Sequence, residues 1–94
     1  MVNLPFKEEK LEENVFLRLF DPELESNELK WHIDLEDRLI EVEEMTDWEF
    51  QFDNQLPIPI YGKIFIPAGI WHRLIKGKSK LKLKVTKLLL SNDI

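Results

Sequence analysis

Ninety-four residues, 44% hydrophobic and 33% charged, describe one globular domain with a modest core. A net charge of −5 gives phosphate backbones no electrostatic hold and argues against nucleic-acid binding, while the absence of cysteine excludes disulfides and thiolate metal sites. No run reaches the roughly 18 apolar residues of a membrane span, and Met1 to Lys10 carries no apolar leader segment, so the expected location is the cytoplasm.

In chain order, Phe6 to Asn14 (with Lys7, Glu8, Glu9, Lys10, Leu11, Glu12 and Glu13) is the one stretch that looks locally helical, with opposite charges spaced to pair at i,i+3. It carries little apolar surface, so any helix there is short. Val15 to Phe20 is an apolar, strand-like run ended by Asp21-Pro22. Arg38 to Glu43 is another, with Leu39, Ile40 and Val42. Trp48, Phe50 and Phe52 alternate with Glu49, Gln51 and Asp53, which gives one aromatic and one polar face. The aromatic face reads as core. Pro57 to Pro59 caps a strand and blocks edge pairing. Lys63 to Ile66 and Trp71 to Ile75 flank the turn Pro67-Ala68-Gly69. Leu81, Leu83 and Val85 then alternate with Lys80, Lys82 and Lys84, whose ammonium groups form a solvated face. Ser91 to Ile94 reads as a loose tail. Turn signals recur every ~8–12 residues, the spacing of an all-β sandwich or barrel.

The two histidines of the chain are the chemical focus. His32 lies in Trp31-His32-Ile33-Asp34, and His72 opens the run after Pro67-Ala68-Gly69-Ile70-Trp71. Alternation puts His32, Asp34, Arg38, Ile40 and Val42 on one face, and Ile70, His72 and Leu74 on one face of the second segment. If both faces are interior, His32, Asp34, Arg38 and His72 converge. Trp31 and Trp71 then face outward, where a dimer interface or the N-terminal segment would bury them. Two imidazoles and a carboxylate suit Fe(II), Mn(II), Ni(II) or Zn(II), and their order is that of the 2-His-1-carboxylate triad. A competing reading makes them interior polar groups that hold no metal, with Arg38 forming a buried bidentate pair with Asp34.

The stretch from Gly62 through Pro67-Ala68-Gly69-Ile70-Trp71-His72 resembles the second motif of the cupins, a short apolar strand followed by PxGxxH. Trp31-His32-Ile33-Asp34-Leu35-Glu36-Asp37-Arg38 resembles the first, and the likeness runs from about residue 28 to 87. The resemblance implies an all-β double-stranded β-helix, a jelly-roll barrel, with residues 1–14 as a short extension, 15–90 as the barrel and 91–94 as the tail of one domain. It implies a divalent metal inside the barrel, with His32 and His72 at two ligand positions. Asp34 stands where a second histidine is expected, and Arg38 stands near the expected glutamate.

The expectation is therefore a small cupin-like protein that binds a divalent metal through His32, Asp34 and His72, a small polar or anionic ligand through Arg38, or both. Tyr61 is a candidate proton donor at the rim. If catalytic, the protein would be a metal-dependent dioxygenase, isomerase or lyase; the alternative is a metal-free ligand-binding or sensory module. A 2-oxoglutarate oxygenase would need a basic residue on a later strand, and Lys82 or Lys84 stands at a suitable distance but on the outward face. Apolar outer residues such as Trp31, Trp71 and Ile75 point to a homodimer.

Overall fold

The computed structural model describes residues 6–88. Eight strands, β1 (Phe6–Glu12), β2 (Val15–Phe20), β3 (Asp37–Glu41), β4 (Glu49–Phe52), β5 (Ile58–Pro59), β6 (Lys63–Ile66), β7 (His72–Ile75) and β8 (Leu81–Leu88), form two antiparallel sheets. The larger has the order β1-β2-β8-β3-β6, the smaller β5-β4-β7. A single 3-10 turn, Asn27–Leu29, is the only helical element among the described residues. No helix there is long and apolar enough to cross a membrane.

Alternation decides which side of each strand is buried. Leu81, Leu83 and Val85 of β8 are buried, and the lysines between them face away from the core. The registers align β8 with its neighbours so that Phe20 meets Leu81, Arg18 meets Leu83 and Ile40 meets Val85. From the smaller sheet come Trp48, Phe50 and Leu74, and these inner faces share one core. Phe20 and Trp48 bridge it with ring centroids 5.9 Å apart, and the Trp48 indole N–H donates to the Ser79 carbonyl at 2.6 Å. The aromatic face expected at Trp48, Phe50 and Phe52 is thus in the core, although Phe52 is only partly covered. Pro59 lies in β5, an edge strand of the smaller sheet, where a missing N–H costs no ladder bond.

The helical expectation for Phe6–Asn14 does not hold. Phe6–Glu12 is a strand paired with β2 through a hairpin at Glu13 and Asn14. Asn14 has φ 66°, the left-handed conformation that asparagine tolerates better than most residues. Lys10 does reach Glu13 at 3.0 Å, but across the turn. A helix here would have had no apolar face to bury. The strand instead gains a ladder, packs Phe6 on Phe20 at 5.0 Å and places Glu8 2.6 Å from the Arg18 Nε.

Candidate metal and ligand site

His32 and His72 are brought together by backbone. The His32 N–H donates to the His72 carbonyl at 3.1 Å, and the His72 N–H returns the bond at 3.0 Å. This isolated antiparallel bridge ties the irregular 30–36 segment to the start of β7. It sets the two imidazoles side by side, with centroids 4.4 Å apart. His72 also lies stacked against Phe50 at 5.5 Å.

The Pro67-Ala68-Gly69 turn fixes the third member. Gly69 has φ +76°, a conformation costly for a side-chain-bearing residue, and its N–H donates to the Asp34 carbonyl at 2.9 Å. Next to it, the Ala68 N–H donates to Asp37 Oδ1 at 2.7 Å. The turn therefore pins the loop that carries Asp34. His72 is 3% exposed and Asp34 9%.

Both imidazoles have their tautomer set by a carbonyl, which only accepts. His32 Nδ1 lies 2.7 Å from the Lys30 carbonyl and His72 Nδ1 lies 2.8 Å from that of Ile70. Each Nδ1 must donate, so in a neutral ring each Nε2 keeps its lone pair. His72 Nε2 then meets Asp34 Oδ2 at 3.2 Å. Two lone pairs at that distance need a proton or a metal ion between them. Adjacent ligands on a metal with bonds of ~2.0–2.2 Å lie roughly 3 Å apart, so the spacing suits either. Ligand atoms of His32, Asp34 and His72 lie within 4.8 Å of one another.

Arg38 comes to the same place. Its Nη1 is 3.4 Å from Asp34 Oδ1 and its Nη2 is 3.5 Å from Glu36 Oε2, while its Nε is buried with no hydrogen-bond partner among the described residues. Burial raises the Asp34 pKa, but the His72 hydrogen bond and the Arg38, His72 and His32 charges outweigh it, and the carboxyl is held below its ordinary value.

A cavity of about 30 Å³ opens among these groups, lined by His32, Asp34, Arg38 and His72 together with apolar residues of both sheets. It has room for an ion with a water or two, not for a sugar ring. Arg18 and Glu28 also line it, and sequence reasoning missed both. Arg18 is buried between Glu8 at 2.6 Å and Glu28 at 3.3 Å. The signal was present: within an apolar run, Arg18 shares alternation with Phe16 and Phe20 and so faces the core.

Two expectations need correction. Tyr61 is 84% exposed and does not line the cavity, because it precedes Gly62 in a surface turn before β6 begins. Ile70 is also exposed, since the turn extends through it and regular alternation begins only at His72. Lys82 and Lys84 are outward as expected, with Lys84 lying 4.0 Å from Glu41.

No family model matches the chain, and no curated protein matches it significantly. Among solved structures it is similar to the crystal structure of protein NMB1881 from Neisseria meningitidis, with a TM-score of 0.58 and 14% sequence identity over 95% of this chain and 89% of the other. At that identity the likeness is one of fold.

Proposed function

We propose that this chain is a small cupin-like barrel that binds a divalent metal through His32 Nε2, His72 Nε2 and Asp34. The supporting observation is the pair of carbonyl bonds to His32 Nδ1 and His72 Nδ1. Ligating histidines commonly donate their other nitrogen in this way, which orients the ring and leaves Nε2 free. Two nitrogens and one carboxylate favour Fe(II), Mn(II), Ni(II) or Zn(II), and three ligands leave positions open for a small molecule. Arg38, with its unpartnered Nε, would orient an anionic group beside the metal. If the site is catalytic, this arrangement suits a dioxygenase, isomerase or lyase acting on a small polar substrate.

A second reading has its own observation. The Arg38–Asp34 contact of 3.4 Å already neutralises the carboxylate, as expected of a metal-free pocket that senses a small anion. Elemental analysis of protein purified without chelator, followed by calorimetric titration with each of the four metals, separates the two. Stoichiometric metal lost in His72→Ala supports the first reading. No metal as purified and no uptake on titration would overturn it in favour of the second.

A further inference from the structure

On the outside of the bridge that joins the two histidines lies a surface with a different character. The register between β4 and β7 sets Gln51 opposite Arg73 and Phe52 opposite His72. One step further, the Asp53 N–H donates to the Trp71 carbonyl at 3.0 Å. The isolated His32–His72 bridge is antiparallel, so Trp31 falls on the Arg73 side of it and Ile33 on the Trp71 side. Since His72 faces the core, alternation puts these six neighbours on the outer face. They form two rows, Gln51–Arg73–Trp31 and Asp53–Trp71–Ile33.

This face is open, with its apolar side chains set among Gln51, Arg73 and Asp53. Trp31 is 41% exposed, Ile33 42% and Trp71 50%, and a groove of about 280 Å³ runs between Trp31, Asp53 and Trp71. Neighbouring exposed indoles mark an interaction surface, and Trp and Arg are the residue types that interfaces concentrate. Charge identifies the occupant. The Arg73 guanidinium lies over the Trp31 ring at 4.7 Å and donates from Nε to Gln51 Oε1 at 2.9 Å, while its Nη groups have no hydrogen-bond partner among the described residues. Asp53 likewise has no side-chain partner among them, and it sits diagonally across from Arg73. One free cation and one free anion in adjoining rows make the face its own complement under a two-fold rotation, as an isologous contact requires.

We infer that this face is a homodimer interface: Trp31, Ile33 and Trp71 form its apolar centre, and Arg73 of each copy pairs with Asp53 of the other. The free edges compete poorly. β1 carries charges at five of its seven positions and β5 contains Pro59, devices that discourage strand-to-strand association. β6 and β7, the other two edge strands, carry only Lys63 and Arg73 as charged residues and are the alternative contacts the test must separate.

The test is sedimentation equilibrium of the full chain at micromolar concentrations, with circular dichroism of each variant to confirm folding. Wild type should be a dimer. Asp53→Arg sets like charges face to face and should weaken association at least ~10-fold, and Trp71→Ser should do the same by removing the centre. The swap Asp53→Arg with Arg73→Asp should recover association toward wild type, which a purely structural role for either residue would not produce. A monomeric wild type overturns the inference. So does a dimer unmoved by Asp53→Arg and Trp71→Ser, which would place the contact elsewhere, with the β6 and β7 edges the first places to look.

Discussion

His72 Nε2 stands 3.2 Å from Asp34 Oδ2, although the His72 Nδ1 proton is already committed to the Ile70 carbonyl. An ionised Asp34 and a neutral His72 would set two lone pairs face to face, so a proton or a metal ion lies between them. The chemical question about this protein is which of the two it is.

Arg38 competes for the same carboxylate, which gives a sharp expectation for Arg38→Met. Methionine retains much of the aliphatic packing but removes the guanidinium 3.4 Å from Asp34 Oδ1. With the competing cation gone, affinity for Zn(II) or Mn(II) should rise, by roughly tenfold for each ~1.4 kcal/mol of repulsion removed. Calorimetric titration of both proteins measures it. Unchanged or weaker metal binding would mean that Arg38 does not oppose a cation at this position.

The acid limb of stability should carry the signature of Asp34. Its pKa is lowered in the folded protein, because the His72 hydrogen bond and neighbouring positive charges prevail over burial. A depressed carboxyl binds fewer protons folded than unfolded. It therefore contributes stability above the ordinary value of about 4, and this contribution is lost as pH falls through the folded value below it. In metal-free protein, Asp34→Asn should cost ~1.5–3 kcal/mol at neutral pH, as expected for a charge-assisted hydrogen bond. The gap between wild type and variant in urea should narrow steadily below pH ~4. An equal gap at neutral and acid pH would show that the aspartate charge is not what matters.

Strand alternation made much of this legible. Leu81, Leu83 and Val85, together with Trp48 and Phe50, declared a buried face, and the same period brought His32, Asp34, Arg38 and His72 together on the condition that both of their faces were interior. What alternation cannot carry is pairing between distant residues. The Glu8–Arg18–Glu28 set was missed because its three charges come from a strand, its hairpin partner and a 3-10 turn, and only the fold brings them together. Phe6–Glu12 misled because its charge spacing satisfies a helix, whereas its stability as a strand comes from β2. Tyr61 misled because a residue beside a turn glycine can point either way, and here it points to solvent.

Core packing gives a prediction independent of the site. Phe20 is buried, touches Phe6 and Trp48, and faces Leu81 across the ladder. Phe20→Ala should cost ~3–5 kcal/mol, from lost transfer energy plus the cavity left behind. That is a large share of the ~5–15 kcal/mol typical of a domain. Denaturant unfolding of wild type and variant measures it. A loss under about 1 kcal/mol would place Phe20 outside the cooperative core.

Gly77 tests how tightly the loop before β8 is closed. The Asp47 carboxylate accepts from the Lys78 N–H at 2.8 Å and from Ser79 Oγ at 3.1 Å, and these bonds hold its pKa below the ordinary value. Gly77 passes so close beneath this clamp that an added Cβ would lie 2.8 Å from the Asp47 backbone carbon and closer still to its carboxylate. The side chain can swing aside, but the backbone cannot do so without moving the start of β4 and Trp48, whose N–H is capped by Thr46 Oγ1 at 3.1 Å. Gly77→Ala should therefore destabilise by ~1–3 kcal/mol, the cost of overpacking a filled site. The change should appear as a lower urea midpoint with an unchanged slope, because the unfolded state gains no surface. A midpoint within error of wild type would mean that the loop relaxes freely and that the Asp47 clamp does not constrain Trp48.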